Sequence, residues 1–221
     1  MTEKSFPNAR EGAKQILMSQ LILIIGVGIM FIGTILMSLS AVFEFQNAEG
    51  VFQASLLLIL SAMILEITAY VFCFLGMHKA GKDSRIIRCA YGLAVPSVAM
   101  SIAEGLIPLF VKDTEISTLI PALCSSVGRI LGMIIMIFVL LGLSQLYKEK
   151  ENEERASKGL HVAMFLTAAH LPLFVLNGLA GASSSAGVMI AEAVTAAIAL
   201  PLYIAAVIRY LLYLNKARFD L

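Results

Sequence analysis

Runs of apolar residues, broken by short charged or small-polar stretches, give this chain its pattern. Six such runs cover approximately residues 16–43, 51–77, 86–111, 116–147, 160–180 and 185–214. Each exceeds the ~20 residues needed to cross ~30 Å of hydrocarbon. A backbone in lipid must satisfy its own hydrogen bonds, so each run is predicted to be a helix. The pattern predicts an all-α membrane protein with six transmembrane helices in three hairpins. Residues 16–214 form the membrane domain, flanked by a segment at 1–15 and a tail at 215–221.

Composition agrees with the pattern. The chain is 59% hydrophobic and only 14% charged, where a soluble domain carries charge on about a quarter of its residues. The first run, preceded by Lys4, Arg10 and Lys14, is about twice the usual ~7 to 15 residues of a cleavable signal core, so it reads as a retained span. Cys73, Cys89 and Cys124 lie inside apolar runs without any CxxC spacing and read as packing residues. Net charge of +1 gives no reason to expect a nucleic-acid partner.

Where the charge falls is more informative than its sum. Fourteen of the sixteen Lys and Arg residues sit at the N-terminus, in the second and fourth connections, or at the C-terminal end. The connections on the other side hold only Lys112, and Arg129 lies inside a span. The positive-inside rule therefore predicts that both termini are cytoplasmic, in a multi-pass protein of a bacterial plasma membrane. The inner ends of the even helices, His78-Lys79-Ala80, Tyr147-Lys148-Glu149 and Asn215-Lys216-Ala217, share a faint pattern. It fits a threefold hairpin repeat, and equally the basic character of any inner helix end.

Glycine and proline punctuate the spans. Gly26, Gly28 and Gly33 have the wrong spacing for a dinucleotide fingerprint and suit close helix packing. Pro96, Pro108, Pro172 and Pro201 each remove a backbone hydrogen bond and favour a kink.

Ionisable residues inside the spans are the candidate chemistry, since a charge at mid-membrane costs ~2.5 to 3.5 kcal/mol on insertion scales. They are Glu66, Glu104, Arg129 and Glu192, with His170 the imidazole among them. Arg129 lies in the apolar stretch 121–136, with no other charge before Lys148. Helical spacing puts Ser97, Ser101 and Glu104 on one face of the third helix, and Ser125, Ser126, Arg129 and Gly132 on one face of the fourth. A Glu104–Arg129 ion pair on the outer side follows as an expectation. Tyr70 and Cys73 share a face with Glu66 near mid-membrane, and Thr167, His170 and Asn177 form a stripe at comparable depth. Glu192 is expected near the external mouth.

These residues support two readings. In the first, Glu66, Tyr70, Glu104, Arg129, His170 and Glu192 line a polar pocket that binds, and helps translocate, a small solute, ion or proton. In the second, they are clamps in a non-transporting membrane subunit or scaffold. Catalysis has no motif behind it: there is no HExxH, no serine elbow and no paired-carboxylate protease pattern. No enzyme activity, metal or cofactor is therefore expected. The connection KEKENEERASK (residues 148–158) alternates sign and reads as a solvated connector, with docking of a cytoplasmic partner as the second possibility. In size, in six spans and in short loops the chain resembles the substrate-binding subunits of energy-coupling-factor transporters. That architectural resemblance implies an ATPase-bearing partner subunit, because no Walker motif is present here.

Overall fold

The computed structural model describes residues 5–42, 48–110, 114–179 and 186–221; within them the side chains of 41–42, 48, 105, 108–109, 114–119, 173–179 and 186–193 fall outside the description. The described chain is entirely helical: α1 (Pro7–Val42), α2 (Ala48–Ala80), α3 (Arg85–Phe110), α4 (Thr114–Glu149), α5 (Glu153–Leu179) and α6 (Ala186–Asp220). Five are long and apolar enough to cross a membrane; α5, which starts with Glu153, Glu154, Arg155 and Lys158, is not among them over its described residues. Large apolar side chains such as Val27, Phe31, Leu57, Ile64 and Ile67 stay mostly exposed. Such a surface suits hydrocarbon and not water. The helices run unbroken through Pro96, Pro121, Pro172 and Pro201.

Each helix packs principally against its chain neighbours, and α6 returns to α1, so the six form a ring in sequence order. The pairs α1–α2 and α3–α4 are the most extensive, and α2–α3 is the slightest. The reason for the first lies in a seven-residue repeat of small side chains. Gly12, Ser19, Gly26 and Gly33 on α1 are all buried, as are Ser55, Ala62, Ala69 and Gly76 on α2. A repeat of seven keeps one stripe facing the partner, and small residues let two backbones approach closely in lipid. The antiparallel register follows directly: a Cβ at Gly12 would meet the Gly76 carbonyl at 2.5 Å, one at Gly26 would lie 3.5 Å from the Ala62 carbonyl, and one at Gly33 3.2 Å from the Ser55 carbonyl.

The remaining packing is concentrated at the end that carries the described termini. Its core draws on residues 6–17 of α1, 77–80 of α2, 87–94 of α3, 135–147 of α4, 156–169 of α5 and 206–221 of α6. The helix ends here are closed by local chemistry. Ser84 caps α3 through the Ile87 amide (3.4 Å), and Asn152 caps α5 through the Arg155 amide (3.1 Å). At the end of α4, Glu151 takes a left-handed φ of 59° while the Asn152 amide reaches back to the Tyr147 carbonyl (2.9 Å), closing the helix as a Schellman turn. Asp83 holds the start of α1, accepting from the Asn8 side chain (2.9 Å) and the Ala9 amide (2.8 Å). The Phe6 amide donates to the Leu221 carbonyl (3.1 Å), and Arg155 pairs with Asp220 (3.4 Å). Thirteen of the fourteen basic residues among those described lie at or near this end, Arg129 being the other.

Two outcomes test this packing. Gly12→Ala should destabilise the protein by about 1 to 3 kcal/mol, the usual cost of overpacking, because the new methyl meets the Gly76 and Ala80 backbones. Gly28→Ala should stay within ~0.5 kcal/mol, since nothing lies within 4 Å of a Cβ there. Denaturant or thermal unfolding of the purified variants in one detergent compares them. Asp83→Ala should cost ~1.5 to 3 kcal/mol, as expected for hydrogen bonds to a charged acceptor, and should bring earlier proteolysis at the start of α1.

Candidate functional site

The weak α2–α3 contact leaves a groove of about 660 Å³ between these helices. From α2 it is lined by Met63, Glu66, Ile67, Tyr70, Val71 and Phe74, at the three- and four-residue spacing of one helical face. From α3 come Val98, Ser101, Ile102 and Leu106. The Tyr70 hydroxyl donates to Glu66 Oε1 at 3.2 Å, and Ser101, whose hydroxyl donates to the Ser97 carbonyl (3.3 Å), lines the opposite wall of the groove. Glu66, Tyr70 and Ser101 are thus three polar groups in an otherwise apolar wall, and only Glu66 can carry charge. This face lies about a quarter turn around α2 from the glycine seam. A Cβ at Gly26 of α1 would sit 3.9 Å from the Glu66 amide nitrogen. The carboxylate is therefore mounted on a segment that the seam holds still.

Sequence spacing linked Glu66, Tyr70 and Cys73, and the structure divides that set. Glu66 and Tyr70 face the groove, whereas Cys73 does not line it and packs against the buried core. Ser101 was grouped with Glu104 by its helical face; its role across from Tyr70 required knowledge of how α2 lies against α3.

The registers align the other ionisable residues. The groove sets residues 63–74 of α2 against 98–106 of α3, which brings Glu66 and Glu104 to about the same level along the bundle, although distances counted from each helix's own basic end put Glu66 nearer mid-membrane. On the next interface a Cβ at Gly128 would lie 3.8 Å from Met100 Cβ. Arg129 then stands about 7 Å nearer the basic end than Glu104, by ~1.5 Å of rise per residue. Glu104 is half-buried, and Arg129 is exposed and engages a partner. Glu104 and Arg129 do not line the groove.

His170 belongs elsewhere. It is 8% exposed, its ring packs edge-on against Tyr203 at 5.1 Å, and Nδ1 donates to the Leu166 carbonyl (2.8 Å). It sits on the α5–α6 side of the ring, opposite α2 and α3, so a single pocket lined by Glu66, Arg129 and His170 is not what the helices form. Glu192 and Asn177 lie in α6 and α5, with side chains outside the described residues. No cluster of His, Cys, Asp and Glu able to hold a metal occurs among the described residues. The chain matches no protein-family model, no curated protein and no solved structure.

The α3–α4 register can be tested by cross-linking. A Cβ separation of 3.8 Å suits a disulfide. In a background with Cys73, Cys89 and Cys124 replaced, Met100→Cys with Gly128→Cys should cross-link under mild oxidation. Met100→Cys with Gly132→Cys should not, because nothing lies within 4 Å of a Cβ at Gly132.

Proposed function

We propose that this chain is a membrane-embedded binding protein that takes a small lipophilic cation or amine into the α2–α3 groove and helps carry it across the membrane, with Glu66 as the counter-charge. The observation that carries this reading is the pairing of one carboxylate, Glu66, with Tyr70 in an apolar cavity of about 660 Å³. A cavity of this size holds a compact organic molecule, and apolar walls with a few convergent polar groups are the usual make-up of such sites. The wall favours an apolar body, and the carboxylate favours a positive or proton-donating head.

The reading includes six spans with both termini cytoplasmic, resting on the distribution of Lys and Arg and on the Phe6–Leu221 contact, which brings both described ends together. A Glu104–Arg129 ion pair belongs to the reading as a brace beside the groove, and exchange of a proton at Glu66 is its energetic variant. A partner subunit that supplies energy is the alternative. The second reading, a scaffold whose polar groups clamp helices, draws on His170, which is absorbed by packing against Tyr203.

Equilibrium dialysis with tetraphenylphosphonium separates the two. The wild-type protein should bind it, Glu66→Gln should weaken binding by about tenfold or more, and Tyr70→Phe should weaken it a few-fold, with unfolding profiles unchanged. Equal binding by Glu66→Gln, or none by the wild type, would sink the cation reading in favour of the scaffold.

A further inference from the structure

A second cavity, at the basic end between α5 and α6, has a different chemistry. Its volume is about 280 Å³, and four of its lining residues are cationic: Arg155, Lys158, Arg209 and Lys216. The nearby acids account for two of them, since Asp220 pairs with Arg155 and Glu154 with Lys158. Among the described residues Arg209 and Lys216 form no salt bridge; Arg209 lies over the Phe165 ring at 4.5 Å, and both side chains are exposed. Packing has brought four positive charges together here against two nearby carboxylates, an excess that favours an anion.

The surroundings say what kind of anion. Two stripes of exposed apolar residues leave the crevice toward the far end of the bundle: Leu212, Ile208 and Ile204 on α6, and Met164 and Leu171 on α5. Their four- and seven-residue spacings keep each stripe on one helix face. A soluble anion has no use for them, whereas acyl chains lie along such stripes while the headgroup meets the cations. Basic pockets between membrane helices at the interface are suited to anionic lipid headgroups.

We infer that the α5–α6 crevice is a binding site for an anionic phospholipid, whose phosphate is held by Arg209 and Lys216 and whose acyl chains run along Leu212, Ile208 and Met164. Arg155 and Lys158 add to the field while remaining tied to Asp220 and Glu154. The site is separate from the α2–α3 groove and does not depend on what that groove binds.

Native mass spectrometry of the full-length protein in detergent, with an equimolar mixture of phosphatidylglycerol and phosphatidylcholine, tests it. The phosphatidylglycerol adduct should dominate in the wild type. Arg209→Gln combined with Lys216→Gln should lower it by about tenfold or more, as expected from losing two interfacial cations. Lys82→Gln combined with Arg85→Gln, basic residues of the α2–α3 turn, should leave it unchanged. Lys216→Gln alone, at an exposed position, gives a partial loss should the double variant fail to fold. Equal adducts of the two lipids, or an unchanged adduct in the Arg209 and Lys216 variants, would overturn the site. Displacement of the lipid by inorganic phosphate at comparable concentration would overturn the lipid assignment and leave a soluble phosphate as occupant.

Discussion

Close approach of α1 and α2 along the small-residue seam is the constraint on which the rest of this architecture depends. Helices in lipid gain nothing by hiding apolar surface from one another, so they associate through close contact and hydrogen bonding. Gly12, Ser19, Gly26 and Gly33 against Gly76, Ala69, Ala62 and Ser55 supply the contact. Where a Cβ would come within about 3 Å of a carbonyl, backbone Cα–H groups approach backbone oxygens, adding weak polar attraction along the seam. With that face of α2 occupied, Glu66 and Tyr70 are turned toward α3.

Packing elsewhere is graded along the bundle. At the basic end, bulky side chains such as Tyr147, Tyr210, Leu143 and Ile87 fill the space between helices, and turns, caps and ion pairs tie the ends together. Toward the far end, the buried positions among the described residues are those of the α1–α2 seam and a few others such as Ala199 and His170. The groove and the exposed Arg129 both belong to the sparser part. Binding surfaces and moving elements are drawn from such sparsely packed regions.

Helix count and approximate bounds were legible in the sequence because hydrocarbon thickness and backbone hydrogen bonding leave few alternatives. The Glu66–Tyr70 contact was legible too, since a spacing of four places side chains together on any helix. The seam was not recognised, although its repeat of seven is written in the chain: Gly26 and Gly33 were noticed, but Ser19, Ser55 and Ala69 look ordinary until both helices are aligned. The placement of Ser101 across the groove from Tyr70 and the packing of His170 on Tyr203 depend on which helices become neighbours. Depth counted along single helices is a poor guide to who meets whom, because helix ends are not flush. The basic crevice is not legible in the sequence, where Arg209 and Lys216 mark orientation and nothing shows them as neighbours of Lys158.

The seam also limits how the molecule can move. Interlocked backbones resist sliding, so α1 and α2 act as one strut of roughly 50 Å by helical rise. Asp83, Phe6 and Leu221 anchor that strut at the basic end. A pivot there turns small rotations into large displacements: tilting by about 10° carries the far end through some ~8 Å for a rod of that length. Glu66 sits partway along that strut, between the anchored end and the far end.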